Sequence, residues 1–351
     1  MIRKLYKYMP LRLNFFEDPM LRTTPIHLLN DPFEADAQHY QMMDILTHQF
    51  DEGELSTFDY QPDDGLYIEH EKRERLFHSN HRELAASELK RVTSELKQFG
   101  IVSFTEDYSN LLMWSHYADE HRGMVVELSN EVSWLKHKKS ERPALCRCFE
   151  DNPFGYLREM PDRVVYRSNR PNFEFAIDVV NDLGDSKVFD SYFFSKGDSW
   201  IYEKEHRSVL PLEYADKILT SYSNDIKECE ELYPNLTVSN IKYDYLKQTA
   251  RCELTFSKTE QQEFSRIITC SSVTHNDNNP IFLYAVHERM ISGIYLGCRV
   301  TDAEALSVLE AIKKNPNFCD SLVVKRGKML NERYSLEFET ISYPMLFSSG
   351  K

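Results

Sequence analysis

The chain has 351 residues, of which 41% are hydrophobic and 13% aromatic, enough apolar material for a packed core, so wholesale disorder is excluded. Its 56 acidic against 42 basic residues leave a formal net charge of -14, which excludes broad, unspecific attraction to nucleic acid or anionic membrane but not a local basic groove. Apolar runs such as 281–283 and 322–324 fall far short of the about 20 residues of a membrane-spanning helix, and the scattered cysteines read as reduced thiols, so a cytoplasmic protein without a secretory signal is expected.

Leu5 to Tyr8 predicts a short strand and Ile26 to Leu29 another, followed by an Asn-Asp-Pro turn. A helix is expected over Phe33 to Phe50, with Met42, Met43, Ile45, Leu46 and Phe50 as its apolar stripe. After a polar loop over 51–65, a second helix is expected from about Glu69 to Phe99, with Gly100 as its C-terminal cap. Ile101 to Thr105 predicts a strand. Ser109 or Asn110 then caps a helix that Gly123 closes, and Met124 to Leu128 predicts the next strand. Further strands are expected at Arg163 to Tyr166 and Trp200 to Leu210, with a helix around Phe173 to Leu183. Residues 213–283 are polar and read as a helical or irregular insertion. Beyond them come a strand at Gly293 to Leu296, a helix opened by the capping box Thr301/Glu304, and strands near Leu322 to Lys325 and Tyr334 to Ile341. The expected fold is α+β. One domain, made from 1–212 and 284–351, holds a mixed, largely antiparallel sheet with flanking helices.

Three sequence-distant polar clusters carry the candidate chemistry. In Asn30-Asp31-Pro32-Phe33-Glu34, helix capping alone accounts for Asp31, Pro32 and Glu34, whereas Asn30 lies outside the box and could touch a phosphate or ribose. In Trp114-Ser115-His116-Tyr117-Ala118, His116 shares a helix face with Glu120, and Trp114, Ala118 and His121 share another. The five-residue spacing of His116 and His121 fails the zinc-protease pattern, which needs four. In Trp200 to Arg207, read as a strand, Glu203, Glu205 and Arg207 point to one side, about 6.5 to 7 Å apart in succession. Carboxylates that close split their pKa values, with Arg207 holding the nearer one ionised. An exposed, charged edge strand explains the same row without any chemistry.

These residues resemble a bacterial family known as domain of unknown function 2971. The resemblance rests on Leu5-Tyr6-Lys7-Tyr8, Asn30 to Glu34, Val102 to Glu106, Met113 to Ala118, His121-Arg122-Gly123, Trp200 to Arg207 and Ile294 to Gly297, and 213–283 departs from it. A remoter similarity is to the ADP-ribosyltransferase fold, whose late strand carries a catalytic Glu, although the chain has no Arg-Ser-Glu or His-Tyr-Glu series.

The resemblance implies a toxin-like or phage-defence effector acting on NAD or a nucleotide by ADP-ribosyl or glycosyl transfer, with NAD as substrate and no required cofactor. Glu205 would be the catalytic carboxylate with Glu203 orienting it, alongside His116. Asn30, Asp31, Trp114, Tyr117 and Arg207 would line the pocket, with Lys7 or Tyr8 at the phosphates. Two other classes stay open at this point. One is a non-catalytic sensing module of a defence system that meets a protein partner through 213–283. The other is a metal-dependent nuclease or hydrolase, for which nucleic acid would be a substrate at a local site only.

Overall fold

The computed structural model describes residues 4–35, 97, 99–136, 158–169, 192–222, 226–227, 231, 236–244, 249–256 and 280–342. Their architecture is α+β, built on a 13-stranded mixed sheet. In chain order the strands are β1 (Lys4–Met9), β2 (Met20–Pro25), β3 (Phe99–Thr105), β4 (Met124–Ser129) and β5 (Arg158–Arg163). The short β6 (Val165–Arg167) and β7 (Ser195–Gly197) pair in parallel as a separate ribbon. The large sheet continues with β8 (Glu205–Pro211), β9 (Lys217–Ser221), β10 (Leu236–Asp244), β11 (Thr249–Phe256), β12 (Ile281–Ala285), β13 (Ile291–Leu296), β14 (Val323–Met329) and β15 (Leu336–Thr340). Within it β13 and β14 run parallel, and the other described pairs are antiparallel. The helices are α1 (Pro32–Ala35), α2 (Leu111–Tyr117) and α3 (Asp302–Lys314). Among the described residues no helix is long and apolar enough to cross a membrane.

The middle of the sheet is organised by β3. Its sequence Phe-Gly-Ile-Val-Ser-Phe-Thr is almost wholly buried, as expected of a strand covered on both faces. One edge pairs along its whole length with β8, from Phe99↔Pro211 to Thr105↔Glu205. The other edge is shared. β2 meets its beginning, at Thr24↔Ile101 and Pro25↔Gly100, and β1 meets its end, at Tyr6↔Thr105. Beyond those contacts the strands part. β2 leads into one wing through β12, β9, β11 and β10, and β1 leads into the other through β4, β13, β14 and β15. Between Ile101 and Thr105 this edge of β3 therefore faces a fork rather than a neighbouring strand.

The core follows the strand alternation. Met124, Val126 and Leu128 of β4 join the main cluster with Leu5, Phe16, Phe282, Tyr284, Ile294 and Leu296. Val125 turns to the opposite face, which α2 covers with Met113, Trp114 and Ala118 against Tyr8 and Tyr295. Asn110 caps α2, its side-chain oxygen accepting from the amides of Leu112 and Met113. The Thr301/Glu304 capping box forms as expected, and Ala305, Val308, Leu309 and Ile312 give α3 its inward stripe.

Several expectations are corrected. Ile26–Leu28 is a 3-10 turn, and the strand precedes it: β2 ends at Pro25, whose nitrogen has no hydrogen to continue the ladder. Trp200 to Leu210 is not one strand but a 3-10 segment over Asp198–Glu203, a left-handed Lys204 (φ 46°) and then β8. The described part of 213–283, expected to be helical or irregular, is mostly β-structure that extends the main sheet through β9, β10 and β11, with helical residues only at 226–227 and 231 and a 3-10 turn at Leu212–Tyr214. The expected helices over 33–50 (beyond Ala35), 69–99 (up to residue 96) and 173–183 lie outside the described residues.

Gly100, expected as a helix cap, lies inside β3 instead. A Cβ there would stand 2.5 Å from Thr23 Cγ2 and 2.7 Å from Leu212 Cδ2, so β2 could not approach β3 as closely. Gly100→Ala is expected to destabilise the protein by about 1–3 kcal/mol through overpacking, read as a lower urea midpoint at unchanged slope.

Candidate functional site

The fork holds a cavity of about 220 Å³. Lys7 and Tyr8 of β1 and Arg22 and Thr24 of β2 line it from the two diverging strands, and Ser103, Phe104 and Thr105 line it from β3. Asn30 and Glu34 reach it from the segment around α1, Met113 and Tyr117 from α2, Lys196 from β7, Glu203 from the 3-10 turn and Glu205 from β8. The Lys7 ammonium donates to the Ser103 carbonyl at 2.8 Å, so a side chain satisfies a backbone oxygen on the edge where strand pairing stops.

Beneath the cavity lies a buried ion network. Arg207 is 0% exposed. Its Nε donates to Glu205 Oε1 at 2.9 Å, and its Nη2 donates to Glu205 Oε2 at 3.0 Å and Glu34 Oε2 at 2.8 Å. Its Nη1 donates to the Phe193 carbonyl at 2.6 Å, so four bonds occupy a guanidinium that carries five N–H donors. Lys196 stands among three carboxylates, with Nζ 2.6 Å from Glu203 Oε2, 2.9 Å from Glu205 Oε2 and 3.3 Å from Glu34 Oε1. The other oxygen of Glu203 accepts from the Tyr117 hydroxyl at 2.6 Å, and Asn30 lines the cavity beside them.

Local structure holds these groups in place. Asn110 Nδ2 donates to the Tyr202 carbonyl at 2.9 Å, fastening the cap of α2 to the turn that carries Glu203. Thr105 Oγ1 donates to the Glu203 carbonyl at 2.6 Å, and the Glu205 amide donates to the Tyr166 hydroxyl at 2.8 Å. A non-glycine residue in the left-handed region costs on the order of 1–2 kcal/mol, and Lys204 is held there between the two carboxylate positions.

Three carboxylates share two buried cations, and their environments separate them. Burial alone would push the Glu205 carboxyl up, but Arg207 and Lys196 outweigh it and hold the group well below the usual carboxylate range. For Glu34 burial outweighs Arg207 and Lys196 and the pKa is raised. Burial works against the Lys196 charge, yet Glu205, Glu34 and Glu203 hold it protonated far into the alkaline range. Lys7 differs. Burial lowers its ammonium to about 8 despite the pull of Glu205.

Of the residues picked from the sequence, Lys7, Tyr8, Asn30, Tyr117, Glu203 and Glu205 line this one cavity. Arg207 lies behind it in the ion network. Asp31 is buried outside the lining, and its Oδ1 accepts from the Phe33 amide at 2.9 Å. Trp114 packs edge-on against Tyr8 in the core with its Nε1 donating to the Tyr108 carbonyl, and His116 is exposed and outside the lining. The structure does not bring those last three to the cavity. Sequence reasoning passed over Arg22 and Lys196, and it treated Glu34 as a cap partner only. The acid instead turns away to Arg207, and its amide bonds the Asp31 carbonyl.

Replacing Arg207 by Met would leave Glu34 and Glu205 buried without their shared cation, with an expected loss on the order of 3–5 kcal/mol in urea unfolding. Arg207→Lys should restore only part, because an ammonium lacks the planar fork. Glu205, with its folded pKa depressed, adds stability above its unfolded value of about 4.3, and that stability is lost as pH falls through the folded value. Glu34, with its pKa raised, opposes this in part. The urea midpoint should therefore fall below about pH 4, and less steeply in Glu205→Gln.

No curated protein and no solved structure matches the chain. A family profile does, over residues 113–208, the stretch that supplies Tyr117, Lys196, Glu203, Glu205 and Arg207. Over that stretch the chain is similar to the family described as Protein of unknown function (DUF2971).

Proposed function

We propose that the fork cavity takes the ribosyl end of NAD or a related nucleotide and that the chain cleaves or transfers at its glycosidic bond. The observation that carries this reading is the Glu203 carboxylate at the cavity wall, bonded by Tyr117 and Lys196 with Asn30 beside them. Glycosidic cleavage passes through an oxocarbenium-like state, which a fixed carboxylate stabilises as positive charge develops on the sugar. In NAD the C1′–N bond breaks and its electron pair leaves with neutral nicotinamide. Water or an acceptor nucleophile then bonds C1′ and gives up a proton, for which Glu203 is the nearby base.

The hydrogen bonding exchanges the roles expected from the sequence. Both oxygens of Glu205 are tied to the buried Arg207 and one also to Lys196, whereas Glu203 has no bond to Arg207, so in this reading Glu203 acts on the sugar and Glu205 positions Lys196. About 220 Å³ is below the roughly 300–1,000 Å³ that enclose a drug-sized ligand, so one end of a dinucleotide enters and the rest stays outside. Water as acceptor makes the activity a glycohydrolase, and a protein acceptor makes it an ADP-ribosyltransferase, the fold to which the remoter similarity pointed. Depletion of NAD would suit a toxin-like or phage-defence effector.

One observation favours a second reading, a binding or sensing module without chemistry. Five of the six oxygens of Glu34, Glu203 and Glu205 already have hydrogen-bond partners, and only Glu34 Oε1 lacks one. A metal-dependent reaction is supported least, because Lys196 Nζ occupies the space among the carboxylates that a divalent ion would need.

Purified protein incubated with NAD should release nicotinamide, followed by chromatography, and Glu203→Gln should lower the rate about 10²–10⁴-fold at a nearly unchanged urea midpoint. Wild-type protein that binds NAD by calorimetry but releases nothing, with water or a cell lysate as acceptor, would establish the sensing module instead.

A further inference from the structure

The cavity is charged unevenly. Its carboxylates come from α1, the 3-10 turn and β8, whereas the two strands that part at the fork contribute cations, Lys7 from β1 and Arg22 from β2. Among the described residues Arg22 has neither an ion pair nor a side-chain hydrogen bond, and the Lys7 ammonium is bonded only to the Ser103 carbonyl. Arg22 is also crowded by its own sign. Burial lowers its pKa, and Arg12, in the connection after β1, and Arg251, on β11, lower it further. Arg22 in turn depresses Lys7.

Two described acids on that side, Glu253 and Asp18, are already committed. Glu253, two residues from Arg251, accepts from Asn240 Nδ2 at 2.8 Å and lies 3.7 Å from Lys217 Nζ. Asp18 faces the same Lys217 at 3.5 Å. In a chain with 56 acidic and 42 basic residues, Arg22 thus meets like charges without a carboxylate partner among the described residues. Repulsion among them is a standing cost that a bound polyanion would remove.

We propose that Lys7 and Arg22 form a subsite for the phosphate or diphosphate of the ligand. The subsite rests on the glycosyl-transfer reading only for which end of the ligand lies deep, against Glu203. Recognition of the anion itself is independent of any chemistry. It also accounts for the limited volume at the acidic floor, since the phosphates would lie against the wing strands rather than on the carboxylates.

The test titrates the full chain with inorganic pyrophosphate, ADP-ribose and adenosine by calorimetry at low and moderate salt. Pyrophosphate and ADP-ribose should bind, adenosine at least tenfold more weakly, and salt should weaken the first two. Arg22→Ala should weaken pyrophosphate tenfold or more, Arg22→Lys should recover part, and both should keep the wild-type urea midpoint because the side chain makes no ion pair or hydrogen bond among the described residues. Glu203→Gln should leave pyrophosphate binding unchanged. Wild-type protein that binds neither anion, or Arg22→Ala protein that binds both as tightly as wild type, overturns the subsite. Anion binding lost with Arg22→Ala but no cleavage of NAD by wild type upholds the subsite and removes the glycosyl-transfer reading.

Discussion

A guanidinium withdrawn completely from water is the constraint on which this site depends. Arg207 sits on β8, every residue of which is buried, and at that position it needs anions or carbonyls for its N–H groups. Glu205 is the local partner, two residues away on the same face. The others come from far along the chain: Glu34 from α1, and the Phe193 carbonyl from just before β7. Satisfying one side chain therefore draws α1 and the approach to β7 against β8. Lys196 arrives with β7, and its ammonium brings Glu203 into the same network. The acidic floor of the cavity follows from neutralising Arg207.

The space above that floor has a separate origin in strand pairing. β3 lends one edge to two strands, and the three registered pairs with β1 and β2 leave the stretch from Val102 to Phe104 without a strand neighbour. An unpaired strand edge is normally filled or capped. Here Lys7 caps one carbonyl and the remainder opens onto the cavity. Gly100 contributes by letting β2 close on β3 at the apex of the fork.

Features that depend on a few adjacent residues were legible in the sequence. Asn110 as a cap, the Thr301/Glu304 box, and the strands around Ile101, Met124 and Gly293 are written in local spacing. Features set by distant partners were not. Asp31 and Glu34 have the same spacing as Thr301 and Glu304, yet Glu34 leaves the helix start because Arg207, 173 residues later, attracts it. Alternation over 200–210 looks like one strand because nothing in the sequence marks the left-handed turn at Lys204. Lys196 sits in a three-residue strand with no pattern to announce it. His116 could have been set aside on the sequence alone, since the wheel that buries Trp114 and Ala118 places it on the outer side of α2. Much of the cavity lining was named in advance because Asn30, Tyr117, Glu203 and Glu205 are polar residues in otherwise aromatic, structured surroundings.

The fork divides labour between parts of the chain that answer to different demands. Glu34 and Glu205 belong to the neutralisation of Arg207, so exchanging either of them threatens the integrity of the whole centre. Lys7 and Arg22 belong to the wings, and among the described residues Arg22 makes no ion pair or side-chain hydrogen bond. Substitutions along β1 and β2 can therefore re-tune which molecules are admitted while the inner apparatus is left alone. Relatives with this framework would diversify in ligand preference at the two wing strands first.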